Sequence, residues 1–135
     1  MRIATGLQTE VIQDVLASDE RVVFAYLYGS FTETEAYRDV DLAVYAAAGQ
    51  DPFRLSPDLK IALHERTGIA PDVFDVRVIN NLVAQGDLFA LLYLQRVFEK
   101  NILLVDKDVD RRTDFLEQYS MKYRECEGLL DEVFL

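Results

Sequence analysis

The stretch YGSFTETEAYRDVDLAVY, residues 28–45, joins two hydrophobic segments through a polar turn. The first segment ends at Gly29-Ser30, and after a spacer of eight residues Asp39-Val40-Asp41 opens the second segment. Two carboxylates on an apolar segment cost free energy to bury unless a cation or a hydrogen-bond donor meets them. We therefore expect the fold to give these two side chains a partner.

Hydrophobic periodicity on both sides of this stretch predicts alternating helices and strands. Segments 21–29, 39–46, 72–80 and 102–106 are predicted strands, and segments 9–18, 56–68, 86–101 and 108 to the C-terminus are predicted helices. This order is typical of an α/β or α+β fold: a small mixed sheet of about four strands, helices packed on it and a long C-terminal helix. We expect residues 1–135 to form a single domain, since no Pro/Gly-rich linker interrupts the chain.

The helix over 56–68 has clear terminal signals. Ser56 is a predicted N-cap, Pro57 suits the first helical position, and Gly68 suits the exit. The sequence therefore predicts that this helix begins at residue 57 and ends before residue 68.

Composition and charge limit the classes of partner and location. The net charge of −10 disfavours routine binding of nucleic acid, because a phosphate backbone would be repelled. No apolar stretch approaches the roughly 20 residues of a membrane span, and the first residues lack the layout of a signal peptide. These features predict a cytoplasmic protein without a membrane partner.

Cysteine and histidine counts limit the metals that the chain can hold. The sequence has one cysteine and one histidine, which excludes a zinc site built from those residue types. A bound metal would have oxygen ligands, which favours Mg²⁺, Mn²⁺ or Ca²⁺.

Asp39 and Asp41 share one face of a predicted strand, because side chains two apart in a strand point the same way. Like charges at this spacing repel unless a cation lies between them. One interpretation is a metal site. The other is an ordinary solvated strand face on which the carboxylates pair with Arg38 or Arg77, and the motif alone does not decide between them.

Gly29-Ser30 favours the metal interpretation. The glycine ends a strand, and Ser30 can cap a short helix whose free N–H groups would bind phosphate. A simple strand-to-helix turn would use the same residues. A phosphate-binding turn that leads directly into a carboxylate pair is nevertheless the arrangement that a metal-bound nucleoside triphosphate requires.

A third carboxylate is available from the segment FDVRVIN, residues 74–80. Asp75 lies near the start of this predicted strand, with Arg77 on the same face. If the strand neighbours the one that carries Asp39 and Asp41, three carboxylates can bind two Mg²⁺ ions. Asp72 is the alternative, although its odd spacing from Asp75 puts it on the other face.

The segment GSFTETEAYRDVDLAVY resembles the signature of the DNA polymerase β-like nucleotidyltransferase superfamily: Gly-Ser, a spacer, then Asp-x-Asp within apolar residues. The chain is most similar to the minimal nucleotidyltransferases, which are often encoded as antitoxins beside a HEPN-domain toxin. FDVRVIN resembles the family's third-carboxylate strand, and VFEKNILLVDKD (97–108) resembles its helix–turn–strand segment.

The resemblance implies a nucleotidyltransferase fold and a role for each motif residue. Asp39 and Asp41 would hold two Mg²⁺ ions, and Asp75 would hold one ion and help to activate the attacking hydroxyl. Gly29 and Ser30 would bind the triphosphate. The implied reaction moves AMP from ATP to a tyrosine hydroxyl of a partner HEPN toxin, which makes the protein an antitoxin; a homo-oligomer is left open.

This sequence also departs from the family pattern. Many relatives carry Ala-Arg-Gly soon after Gly-Ser, and here the same stretch reads Thr32-Glu33-Thr34. The departure supports an alternative function, a catalytically weak or inactive binding module that neutralises its partner by forming a complex. Phe134 and Leu135 at the chain end would suit such docking. A nucleotidyltransferase acting on a cationic aminoglycoside is a third interpretation.

Overall fold

The structure is a computed structural model, and it describes residues 5–29 and 39–134. Strand segments rich in β-branched and aromatic residues form one four-stranded sheet, as their alternation predicts. The strands are β1 (Val22–Tyr28), β2 (Val40–Ala46), β3 (Phe74–Val78) and β4 (Asn101–Asp106).

The sheet is mixed, and its order is β3-β2-β1-β4. Strand β1 pairs antiparallel with both β2 and β4, whereas β2 and β3 run parallel. The parallel pair requires a crossover connection, which the helix between β2 and β3 supplies. The two strands predicted to carry the carboxylates are therefore direct neighbours.

Helices cover both faces of this sheet. They are α1 (Thr5–Ser18), α2 (Pro52–Thr67), α3 (Leu82–Gln85), α4 (Leu88–Glu99) and α5 (Val109–Phe134). Within residues 5–29 and 39–134, no helix is both long and apolar enough to cross a membrane.

Alternation along the strands divides the apolar side chains into two layers. Leu27, Leu42 and Val76 face one layer, where α1 and α2 contribute buried leucine and isoleucine side chains. Phe24, Tyr26 and Ala43 face the opposite layer, which is closed by side chains of α3, α4 and α5. The α/β fold predicted from the sequence is confirmed, and so is the long C-terminal helix.

The predicted start of the second helix is wrong. Helix α2 begins at Pro52, and Asp51 is its N-cap, with the Asp51 carboxylate accepting a hydrogen bond from the N–H of Phe53. Pro57 consequently lies inside the helix, and the Ser56 hydroxyl donates to the carbonyl of Val76 at 2.7 Å. Asp51-Pro52 and Ser56-Pro57 are both cap-and-proline signals, and the fold uses the earlier one.

The start of β3 and the helices that follow it also differ from the prediction. Strand β3 is shorter than the predicted 72–80, because residues 71–73 form a 3₁₀ turn. The helix predicted over 86–101 is preceded by the short helix α3, which ends at Gly86, and Asp87 caps α4 by accepting from the N–H of Ala90. A new helix thus begins after Asp87, and its buried side chains are Ala90, Leu91, Leu94 and Val97, whereas Phe89 is exposed.

Candidate functional site

Asp41 and Asp75 lie side by side on the parallel strands β2 and β3. They are register partners, and paired residues of a parallel ladder direct their side chains to the same face of the sheet. Neighbouring strands are about 4.8 Å apart. Asp39 lies one residue before β2, two residues from Asp41. The fold therefore places Asp75 beside Asp41, and Asp39 lies at the same end of the sheet.

The face that carries these carboxylates is the one covered by α3, α4 and α5. Asp41 alternates with Leu42 and is two residues from Ala43, which belongs to that layer. On its other side, Asp41 pairs with Tyr28 at the end of β1. The carboxylates thus lie at the end of the sheet where β1 stops and β2 starts, with Asp41 half-buried and Asp39 and Asp75 exposed.

Gly29 packs directly against the Asp41 side chain. Its φ of 81° lies in the left-handed region, where side chains other than hydrogen are strained. A Cβ added to Gly29 would collide with Oδ2 of Asp41 and lie 3.2 Å from its Cγ. The glycine of the Gly-Ser pair therefore gives the carboxylate its space. The role of Ser30 stays a prediction, because Ser30 and the spacer residues 31–38 lie outside the described part of the chain.

Burial and negative neighbours raise the pKa of Asp41 above its ordinary value. Burial is the largest cause, followed by the charges of Asp75 and Asp39, and the positive charge of Arg96 opposes them. Mutual repulsion among carboxylates is the electrostatic pattern expected where a cation is to be bound, and an ion-paired surface carboxylate would show the opposite shift.

A tyrosine pair lies beside the carboxylates. The hydroxyls of Tyr28 and Tyr93 are 2.7 Å apart, and their rings meet edge to face. Burial raises the pKa of Tyr28 to about 12, with contributions from the charges of Asp41 and Asp75. Burial also raises the pKa of Tyr93 well above its ordinary range. Both hydroxyls are therefore neutral at physiological pH.

Arg77 is held against this tyrosine pair. Its guanidinium carbon lies 4.2 Å from the centre of the Tyr93 ring, a cation–π contact. Among the residues with described positions, no salt bridge joins Arg77 to Asp41, Asp39 or Asp75. The second partner considered for the carboxylates, Arg38, lies outside the described residues.

Asp72, the alternative third carboxylate, lies in the 3₁₀ turn Pro71–Val73 and is exposed. Asp75 instead lies in β3, in register with Asp41. The structure thus brings Asp75, and not Asp72, next to the carboxylate pair.

Sequence reasoning missed Tyr93 and Arg96 as neighbours of this site. Both lie on α4, three residues apart and therefore on one helix face. The spacing of a tyrosine and an arginine on a helix is too common to indicate a site by itself. Their role depends on how α4 packs on the sheet.

The donor set has the right chemistry for Mg²⁺, which prefers carboxylate oxygens. Within residues 5–29 and 39–134, however, no three His, Cys, Asp or Glu side chains are arranged to hold a metal ion. Like charges repel at close range, and a cation between the carboxylates would remove that repulsion. Asp41 and Asp75 share one face of the sheet and Asp39 lies two residues from Asp41, so these residues suit a divalent ion by chemistry, and their use as metal ligands remains a prediction.

Comparisons with known proteins identify the family of the chain and similar folds. Residues 10–110 match the family described as Polymerase beta, Nucleotidyltransferase, a range that includes Gly29 and the three aspartates. A toxin-antitoxin crystallised with AMP-PNP matches with a TM-score of 0.59 and 19% identity, over 95% of this chain and 98% of that chain. A mutant of the toxin-antitoxin MntA-HpeT matches with a TM-score of 0.58 and 16% identity, over 98% and 100%.

A second mutant of that toxin-antitoxin matches with a TM-score of 0.58 and 17% identity, over 99% of this chain and 100% of that chain. Comparison with curated protein sequences finds no match. At these identities the solved structures establish the shared fold, and the family match over residues 10–110 establishes the relationship. The chain belongs to the polymerase beta nucleotidyltransferase family.

Proposed function

We propose that this protein transfers AMP from ATP to a hydroxyl acceptor and releases pyrophosphate. The observation that carries the proposal is the pairing of Asp41 with Asp75 on adjacent parallel strands, with Gly29 packed on the Asp41 carboxylate. A half-buried carboxylate whose neighbours are negative has no evident structural value, since repulsion destabilises the fold. A bound divalent cation with its nucleotide would offset the repulsion between these carboxylates.

Each residue has a separate task in this reaction. Asp39, Asp41 and Asp75 would hold two Mg²⁺ ions, which when bound neutralise the phosphate charge that develops during transfer. Asp75 would also accept the proton of the attacking hydroxyl. The hydroxyl oxygen bonds to the α-phosphorus, the bond to the β-phosphate oxygen breaks, and pyrophosphate leaves. Gly29 and Ser30 would bind the triphosphate through backbone N–H groups and the serine hydroxyl.

The acceptor in this proposal is a tyrosine hydroxyl on a HEPN-domain toxin, and the protein is its antitoxin. Support comes from the similar solved structures, which are described as toxin-antitoxin structures, one of them with the ATP analogue AMP-PNP. The same proposal places residues 1–135 in one domain that acts in the cytoplasm.

Transfer of label from ATP tests this proposal. The protein is incubated with α-labelled ATP, Mg²⁺ and the product of the adjacent gene. We expect label on the partner protein, dependent on metal, with release of pyrophosphate. Stable complex formation without transfer would instead support the alternative, a binding module that neutralises its partner. A parallel reaction contains an aminoglycoside in place of the partner protein, and label on that aminoglycoside would support the antibiotic-modifying interpretation.

Two single variants, Asp75→Asn and Asp72→Asn, distinguish a carboxylate of the candidate site from a nearby carboxylate outside it. Asp75→Asn removes a carboxylate that faces Asp41, so we expect transfer to fall by about a hundredfold or more. Asp72→Asn makes the same change in charge three residues away, in an exposed turn, and should leave transfer within about twofold. Initial rates of label transfer under identical conditions measure both. Equal losses in the two variants would contradict the assignment of Asp75.

A further inference from the structure

An acidic nucleotidyltransferase must bind a strongly anionic donor. The chain carries a net charge of −10, and the stretch that supplies an arginine in many relatives reads Thr32-Glu33-Thr34 here. Mg²⁺ ions held by the carboxylates would offset part of the donor's charge, and the outer phosphates would also need positive partners. A guanidinium is well suited to that task, because its planar fork matches two phosphate oxygens.

Arg77 is one guanidinium on the carboxylate face of the sheet. It lies two residues after Asp75 in β3, so both side chains point to the same side, about 6.6 Å apart along the strand. Stacking on the Tyr93 ring at 4.2 Å fixes its position, and the hydrogen bond between the hydroxyls of Tyr93 and Tyr28 fixes that ring. Tyr28 in turn pairs with Asp41 across the sheet. A cation–π contact, a hydrogen bond and a backbone strand pairing thus connect Arg77 to Asp41.

Arg96 approaches the same carboxylates from the helix above. It lies three residues after Tyr93, on the same face of α4 and nearer to the end of that helix. Strand β4 starts directly after α4, and its first residue, Asn101, pairs with Tyr28. The end of α4 is therefore held at the sheet end where Asp41 lies, and the positive charge of Arg96 acts on both Asp41 and Tyr28.

Four other arginines of the described chain are engaged by carboxylates, whereas Arg54 on α2 and Arg124 on α5 form no salt bridge with a described residue. Salt bridges join the following pairs: Arg21 to Asp19 and Asp58, Arg66 to Asp14, Arg111 to Asp108, and Arg112 to Asp106. Among the described residues, Arg77 and Arg96 form no such pair, although carboxylates lie close by. Their guanidinium groups are available to an anion that enters between them and the carboxylates of Asp41 and Asp75.

We propose that Arg77 and Arg96 bind the β- and γ-phosphates of the nucleoside triphosphate. This inference rests on the proposed function and assigns the residues that hold the donor's outer phosphates. Tyr93 is a positioning residue in this arrangement, because it carries the Arg77 guanidinium without reaching the nucleotide itself.

Calorimetric titration of the full-length protein with Mg·ATP, Mg·tripolyphosphate and AMP tests the inference. Arg77→Gln and Arg96→Gln should each weaken binding of ATP and tripolyphosphate by about 10- to 100-fold, the cost of losing a charge-assisted hydrogen bond. Binding of AMP, which has no outer phosphates, should change by less than about threefold. Arg96→Lys keeps the charge but loses the fork, so its affinity for ATP should lie between those of the wild type and Arg96→Gln.

Arg66→Gln is the matched control. It removes the same charge from an exposed arginine on α2, which faces the opposite side of the sheet and pairs with Asp14. Its affinity for ATP should equal that of the wild type. If the wild type binds ATP and the Arg77 and Arg96 variants bind it equally well, the inference is overturned while the proposed function stands. If the wild type itself binds no ATP, both are overturned.

Discussion

Replacement of Gly29 by alanine is expected to reduce nucleotide transfer by about a hundredfold or more, because the Asp41 carboxylate can no longer keep its position. The new methyl group would occupy the place of Oδ2 of Asp41. Either the carboxylate rotates away from Asp75 or the end of β1 shifts, and both changes separate the groups that have to act together. The measurement is the initial rate of label transfer to the partner protein.

Stability should also fall in this variant. A non-glycine residue at a φ of 81° costs about 1–2 kcal/mol, and the collision with Asp41 adds to that cost. A loss of 1 kcal/mol lowers the melting temperature of a domain of this size by about 4 °C. Thermal melts monitored by circular dichroism measure the change.

Gly49→Ala is the matched control, because Gly49 has a φ of 80° and no atom lies within 4 Å of a Cβ placed there. This variant carries the same backbone strain without the contact. We expect a smaller decrease in melting temperature and normal transfer. If both glycine variants lost transfer equally, the contact between Gly29 and Asp41 would have no special role.

The sequence predicts most of the sheet because each strand has a clear two-residue period. Val40, Leu42 and Val44 alternate with Asp41 and Ala43, and this pattern alone puts the carboxylate on the opposite face from three large apolar residues. The choice of Asp75 over Asp72 follows from the same period. The period does not predict which strands are neighbours, because the pairing of β2 with β3 depends on how α2 crosses over the sheet.

Helix starts are less predictable where two signals compete. Asp51 and Ser56 both precede a proline, and the preference for Asp51 reflects tertiary contacts that the sequence does not display. The Ser56 hydroxyl instead donates a hydrogen bond to the carbonyl of Val76, and this bond connects α2 to β3. A residue whose sequence context predicts a helix cap thus forms a contact with a distant strand.

The position of the two arginines near the carboxylates could not be predicted either, because it depends on tertiary contacts. Arg77 is visible in the sequence as a same-face neighbour of Asp75, but its stacking partner Tyr93 is 16 positions further along the chain. Arg96 lies on a helix whose register against the sheet is set by buried side chains such as Leu94 and Val97. Side chains that meet only through helix packing leave no periodic signal in a strand motif.

Asp41→Asn should abolish most transfer and yet raise the stability of the metal-free protein. Transfer should fall by about a hundredfold or more, because the amide removes the charge that would hold a cation against the phosphate. Stability without metal should rise, because the change relieves repulsion of Asp41 by Asp75 and Asp39 and removes a half-buried charge. Label transfer and thermal melts in chelator measure the two effects, which have opposite signs.

The pH dependence of the stability difference follows from the raised pKa of Asp41. The folded protein holds this proton more tightly than the unfolded chain does, so ionisation of Asp41 lowers stability as pH rises through its folded pKa. The advantage of the asparagine variant should therefore be largest near neutral pH. This advantage should vanish at a pH below 3.8, the ordinary pKa of an aspartate, where the side chains of Asp41 and of the substituted asparagine are both neutral.

Added Mg²⁺ should reverse the ranking of the two proteins. In the wild type, a cation among the carboxylates converts repulsion into attraction, so the melting temperature should rise with metal concentration. In the asparagine variant the rise should be much smaller, and in Asp72→Asn it should match the wild type. If Asp41 served mainly as an ion-pair partner on the surface, its loss would instead lower the melting temperature. That decrease, together with a wild-type protein that does not respond to Mg²⁺, would contradict a metal-binding role for Asp41.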